Sequence, residues 1–201
     1  MHHIVSTAIK HSGYELKEEM ASFAGRTDLD IFGSMATRPI KDFQALINIY
    51  EELLNTQLKA EDVQVIDGVI ETLDHLSNQG TPLGLLSGNF KIGAQIKLKN
   101  AQLEHYFDWT IGAFGEDGYH RNELPPTAYD RALSHGFWSH LEPSDVWIIG
   151  DTPRDIECAK AHGYHSVAVS TGFSSYETLA SCKPDILIRN LNDLLEWLNL
   201  A

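Results

Sequence analysis

The sequence predicts an α/β protein built on an open parallel sheet, preceded by a smaller all-helical region. Three observations carry this expectation. The run Val146-Trp147-Ile148-Ile149-Gly150-Asp151-Thr152-Pro153-Arg154-Asp155 reads as strand, tight acidic turn and helix. Its four large apolar residues suit a strand buried on both faces, in the middle of a parallel sheet. Gly150 and Asp151 break the run; Thr152 stands where an N-cap belongs, Pro153 at the first helical position and Asp155 in the first turn. Beyond residue 60, short apolar runs alternate with amphipathic stretches, the pattern of a doubly wound sheet with right-handed crossovers. Residues 1–60, by contrast, carry helical patterning only. Two domains are therefore expected, 1–60 and 61–201.

In chain order, a weak helix is expected to Lys10, stopped by Gly13, and Thr27 caps a short helix through Phe32. Lys41 to Asn55 is the clearest amphipathic helix, with Phe43, Leu46, Ile47, Tyr50, Leu53 and Leu54 on one face. Asp62 to Asn78 follows as a helix on Ile66, Val69, Ile70, Leu73 and Leu76, ended by Gly80. Pro82 to Leu86 reads as a short buried strand and Ser87-Gly88-Asn89 as its turn. A helix over Lys91–Leu103, a strand near Trp109–Ala113 and a helix over Pro126–His135 come next. After the central strand and its helix, strands are expected at Val167–Ser170 and Ile186–Ile188. A short helix near Tyr176–Ser181 separates them, and a last helix carries Leu191, Leu194, Leu195 and Leu198.

Bulk properties exclude several classes. The net charge is −13 and no basic stripe exists, which argues against a nucleic-acid partner. No apolar run approaches the roughly 20 residues of a membrane span, and no secretory leader pattern opens the chain. Two cysteines, Cys158 and Cys182, fall in helical segments and point to a reduced, cytoplasmic protein rather than a disulfide scaffold. His2, His3 and His11 read as exposed helical residues. Oligomeric state leaves no mark in the sequence.

The candidate site lies at strand ends, where open α/β sheets bind ligands. Asp151 and Asp155, one on the turn and one on the first helical turn, can face one small volume and suit a hard cation such as Mg²⁺. They can equally end a strand and complement a helix dipole. Ser87-Gly88-Asn89 offers a hydroxyl and backbone amides to a phosphate, or is simply a turn built of turn-forming residues. Arg121, just before the proline-started helix, can clamp a phosphoryl group or sit on the surface of an acidic loop.

Taken together and in order, these residues resemble the haloacid dehalogenase superfamily, in particular its phosphoglycolate-phosphatase-like branch with a helical cap. Ser87 in Leu85-Leu86-Ser87-Gly88-Asn89 matches the second motif, Arg121 the Lys or Arg of the third, and Gly150-Asp151-Thr152-Pro153-Arg154-Asp155 the fourth. The resemblance covers the whole chain, with residues 1–60 as cap and 61–201 as a Rossmann-type core. It implies a Mg²⁺-dependent phosphomonoesterase acting on a small phosphorylated metabolite through an aspartyl-phosphate. Ser87, Gly88, Asn89 and Arg121 would then hold the phosphoryl group, and Asp151 and Asp155 the metal. Arg26, in Gly25-Arg26-Thr27-Asp28, would reach the substrate from the cap or lie on its surface.

One departure weighs against activity. The family's first motif, a buried strand followed by Asp-x-Asp-Gly-Thr, supplies the nucleophile and the acid/base; no such stretch precedes the cap-like helices. Asp28-Leu29-Asp30 has the spacing, but no buried strand leads into it and no Gly-Thr follows; both acids read as first-turn helix residues. The chain is thus expected to hold the phosphate and metal halves of the site without the nucleophile. A catalytically dead phosphate- or protein-binding module and a phosphomutase on the same scaffold remain the alternatives.

Overall fold

The computed structural model describes residues 2–17, 22–136, 140–172 and 174–200. The N-terminal region packs α1 (His2–His11), α2 (Asp28–Met35) and α3 (Phe43–Gln57) around one apolar core. Ile4, Val5, Ala8 and Ile9 of α1 meet Leu46, Tyr50 and Leu54 of α3, the faces their helical spacing prescribes. Thr27 caps α2 by accepting from the Asp30 amide, as expected, and the helix runs on to Met35. The core does not stop at the helical region. Phe90 and Ile96 join it, and Phe32, Tyr50 and Phe90 form an aromatic triad with centroids 5.4 to 6.2 Å apart.

The second region comprises α4 (Val69–Asn78), α5 (Lys91–Asn100), α6 (Leu124–Ser134), β1 (Trp147–Gly150), α7 (Pro153–Ala161), β2 (His165–Val169), α8 (Tyr176–Ser181), β3 (Ile186–Ile188) and α9 (Leu191–Leu200). The strands form a parallel sheet in the order β1-β2-β3, with Ile149 opposite Val167 and Ala168 opposite Leu187. Strand periodicity sends Val167, Val169 and Ile188 to one face, against Leu194 of α9. Ala168 goes to the other, against Ile156 of α7 and Leu179 of α8. Helices thus cover both faces, as the strand–helix alternation predicts.

Three expectations are corrected. The helix expected from Asp62 starts only at Val69, because Gly68 takes a left-handed φ of 83° in front of it. Ile66 and Ile70 are exposed rather than buried. Pro82–Leu86 and Trp109–Ala113 do not form full strands. They lie parallel, with the Asp108 amide bonded to the Leu83 carbonyl, Ala113 to Leu85 and Ser87 to Ala113, and only Leu86 and Ala113 make a bridge. Nor is the central strand buried on both faces. Ile148 is buried, but Trp147 and Ile149 are 42% and 44% exposed.

The last two corrections share a cause. The Leu83–Leu86 segment and β1 do not pair with one another. Between them lies a cleft of about 540 Å³ lined by Leu83, Leu85, Leu86, Trp147 and Ile149, with Trp197 of α9 at its rim. Each segment is bonded on its outer side, Leu83–Leu86 to residues 108–113 and β1 to β2.

Candidate functional site

The site forms where the Leu83–Ser87 segment and β1 both end. After β1, Asp151 opens the turn and α7 begins with a reciprocal cap. The Thr152 amide and hydroxyl donate to Asp155 Oδ2 at 3.1 and 2.7 Å, so Asp155 closes the box three residues on. The other oxygen, Oδ1, accepts from Arg121 Nη2 at 2.7 Å. Arg121 Nη2 also donates to the Leu86 carbonyl at 3.2 Å, one residue before Ser87. The guanidinium therefore ties the end of one extended segment to the helix after the other. This ion pair is largely buried, with side chains 14% and 7% exposed. Arg121 Nε is buried and has no hydrogen-bond partner among the described residues. The Cys158 thiol lies beside this guanidinium, which opposes the rise that burial gives the thiol pKa.

Asp151 lies at the mouth of the same turn. Its carboxylate stands over Gly172, in the loop after β2, where an added Cβ would fall 1.5 Å from Asp151 Oδ2; only glycine admits the acid there. Asp151 and Asp155 thus do not act as an equal pair. Asp155 spends both oxygens within the protein, on Arg121 and on the Thr152 cap. Among the described residues, no three His, Cys, Asp or Glu side chains converge to hold a metal. One carboxylate with water and a ligand phosphate still suits Mg²⁺, which keeps much of its hydration.

In the Ser87-Gly88-Asn89 turn, the Asn89 amide donates to Ser87 Oγ at 3.2 Å, so the hydroxyl proton is free to point outward. The loop before α2 lies directly on this turn. Asp28 N donates to the Gly88 carbonyl at 2.6 Å, and a Cβ on Gly88 would fall 2.1 Å from the Arg26 carbonyl oxygen. The loop is pinned on two further sides, by Thr27 Oγ1 on the Tyr119 carbonyl and by Arg154 Nη1 on the Ala24 carbonyl. Arg26 arrives here by its backbone; its guanidinium is taken up by Asp30, at 2.6 Å through both Nε and Nη2, and by Ser34. That pairing holds the Asp30 carboxyl below the usual carboxylate range.

Two further acids lie at the turn: Asp28, expected only as a first-turn helix acid, and Glu116, which no residue pattern marks. The Asp28 carboxylate is 2% exposed and accepts from the Phe90 amide at 2.7 Å and from Asn89 Nδ2 at 3.4 Å. Burial pushes its pKa up to about 6. Glu116 takes the Lys91 amide with both oxygens, at 3.1 and 2.8 Å. Between them these acids occupy the first amides of α5, so a ligand at the turn meets Ser87 and Gly88 first. Cys158 is free and buried beside Asp155, with its thiol pushed up to about 11 by burial, which makes it unreactive.

Known proteins share this family and fold. The haloacid dehalogenase-like hydrolase family matches residues 1–169. The phosphoglycolate phosphatase of Shigella boydii serotype 4 (strain Sb227) is 26% identical over 202 residues, spanning 98% of this chain and 78% of its own. That of Escherichia coli (strain K12) is 30% identical over 132 residues, 66% of this chain and 50% of its own. Among solved structures, a predicted phosphoglycolate phosphatase from Haemophilus somnus 129PT superposes with a TM-score of 0.66 at 18% identity, over 96% of this chain and 88% of that one. A haloacid dehalogenase-like hydrolase from Bacteroides fragilis gives 0.67 at 22%, over 96% and 90%. The family model spans well over half of the residues, so the chain belongs to the haloacid dehalogenase-like hydrolase family.

Proposed function

We propose that this chain is the scaffold of a phosphomonoesterase for a small phosphorylated metabolite of the phosphoglycolate type. Without an Asp-x-Asp-Gly-Thr stretch, it carries the residues that bind the phosphoryl group but not the nucleophile that turns it over. The observation that carries the reading is the position of Arg121, whose guanidinium bridges the Leu86 carbonyl, one residue before Ser87, and Asp155 at the start of α7. The Ser87 hydroxyl and Gly88 amide would hold phosphoryl oxygens, and Arg121 would offset the charge that gathers on them during transfer. The absent nucleophile would be an aspartate at the end of a strand lying in the cleft between Leu83–Leu86 and β1. A peptide carrying an apolar strand and Asp-x-Asp-Gly-Thr is its experimental substitute.

The residues suit a sparsely held Mg²⁺, with Asp151 as its carboxylate and Asp155 in support through Arg121 and the Thr152 cap. When bound, the ion would polarise the phosphoryl oxygens. With the strand peptide added, titration calorimetry should show Mg²⁺ binding with a Kd on the order of 1 mM. Asp151→Asn should weaken it at least tenfold, and unchanged binding by that variant would remove Asp151 from the site.

A purely binding role, for a phosphorylated ligand or a protein, is the second reading, favoured by the open apolar cleft beside the site. Vanadate affinity tests the shared part. Micromolar to millimolar binding that depends on Arg121 supports a phosphoryl site, and binding indifferent to Arg121 contradicts it. Hydrolysis of p-nitrophenyl phosphate with the strand peptide added separates enzyme from module. No helix among the described residues is long and apolar enough to cross a membrane.

A further inference from the structure

We propose that Asp28 and Lys97 form a buried clamp on Asn89, and that through it the N-terminal helical region sets the geometry of the anion-binding turn. They act as positioning residues for the proposed phosphoryl site, and the inference rests on that reading. The clamp grips both ends of one amide. Lys97 Nζ donates to Asn89 Oδ1 at 2.6 Å, and Asn89 Nδ2 donates to Asp28 Oδ1 at 3.4 Å. Asn89 cannot flip without placing its amino group against the ammonium. Its backbone is fixed as well, because the carbonyl accepts from Gly115 N at 2.7 Å. With Asn89 immobile, its amide points at Ser87 Oγ, and the Ser87 proton is left for a ligand.

Maintaining this clamp costs stability. Asp28 comes from α2 and Lys97 from α5, and both charges are desolvated; burial raises the acid's pKa to about 6 and lowers that of the lysine. Glu116, on the loop after Ala113, raises the Asp28 pKa further while Lys97 opposes it. Tyr50 of α3 also faces Asp28, its buried hydroxyl without a hydrogen-bond partner among the described residues. A buried ionic pair is poor evidence for stability, since apolar substitutes often serve as well. Its placement against the Ser87 turn gives it a role that packing does not.

Charge and positioning predict opposite signs, so the test is clean. Asp28→Asn removes a negative charge beside an anion site, which by Coulomb attraction alone tightens anion binding. If Asp28 positions Asn89, the variant loosens binding, because an amide at 28 sets a donor against Asn89 Nδ2. Sulfate is the probe, since it keeps its charge between pH 5 and pH 8. Affinities are compared by calorimetry for the wild type, Asp28→Asn, Lys97→Met and Arg121→Ala, all with the strand peptide added, and each fold is checked by near-ultraviolet circular dichroism.

Sulfate affinity should fall at least fivefold in Asp28→Asn; its melting temperature should fall as well, because Lys97 keeps a buried charge without its acid, whereas Asp28→Asn with Lys97→Met should recover the melting temperature and not the affinity. In the wild type, affinity should decline as pH falls through about 6, and Asp28→Asn should abolish that decline. The Phe90 amide and Asn89 side-chain amide resonances should titrate together with a midpoint near 6, moving upward in Lys97→Met. Tighter binding by Asp28→Asn, or affinity that rises as pH falls, would overturn the clamp. If Arg121→Ala loses binding while Asp28→Asn keeps it, the clamp fails alone; if the wild type binds no sulfate, the phosphoryl site fails with it.

Discussion

Residues 1–201 alone should melt without a sharp transition and associate in solution, and a strand peptide should restore a cooperative melt of a monomer. β1 and the Leu83–Leu86 segment are each paired on the outer side, and their inner edges face a cleft of about 540 Å³. A buried unpaired backbone group costs about 1–3 kcal/mol, and two strand edges carry several. Trp147 and Ile149, 42% and 44% exposed, add apolar surface that a covered sheet would bury, at about 25 cal/mol per Å². Set against a domain stability of roughly 5–15 kcal/mol, these terms suffice to unfold the core or drive association through open edges. An extended chain presents amides and carbonyls on both sides, so it alone can satisfy both edges at once. Thermal melts followed by near-ultraviolet circular dichroism, with size-exclusion chromatography, check this. A sharp transition from a clean monomer without peptide would show that something else fills the cleft.

Arg121 carries the second large effect. Arg121→Ala should lower phosphate and vanadate affinity by roughly 10- to 100-fold, the worth of about 1.5–3 kcal/mol for hydrogen bonds to a charged group. It should also destabilise the fold by about 3–5 kcal/mol, because Asp155 would keep a buried, unpaired charge. The double variant Arg121→Ala with Asp155→Asn should recover most of that stability and none of the affinity, which separates folding from binding. Arg121→Lys should recover only part of both, since a single ammonium cannot reproduce the planar fork. Equal affinity across the series would make Arg121 a structural charge only.

Where structure follows from neighbouring residues, the sequence was legible. Thr152, Pro153 and Asp155 announce a helix start by local capping chemistry, and α7 begins there. Thr27 does the same for α2, and Tyr176–Ser181 and Ile186–Ile188 stand at their expected limits. Legibility fails where the partner is distant or missing. Ile66 continues the apolar spacing of α4, yet Gly68 at positive φ starts the helix later. An apolar run such as Val146–Ile149 states that burial is wanted, not that a neighbour is present to provide it. Asp28 looked like any first-turn acid; its partners lie at residues 88–97, and no local pattern marks them. The resemblance gives Asp155 to the metal, either as a direct ligand or as the group that orients Arg121. The geometry gives it the second contact, which residue types alone do not distinguish from the first.

The most direct test is the initial rate of p-nitrophenyl phosphate hydrolysis in Mg²⁺, with and without the strand peptide. Residues 1–201 alone should give no rate above background. The peptide ending in Asp-x-Asp-Gly-Thr should bring turnover that Arg121→Ala abolishes, and a peptide with its first Asp changed to Asn should bring none. Turnover by residues 1–201 alone, lost on Arg121→Ala, would contradict the missing nucleophile. A peptide that restores the cooperative melt yet yields no turnover would contradict the phosphatase scaffold itself.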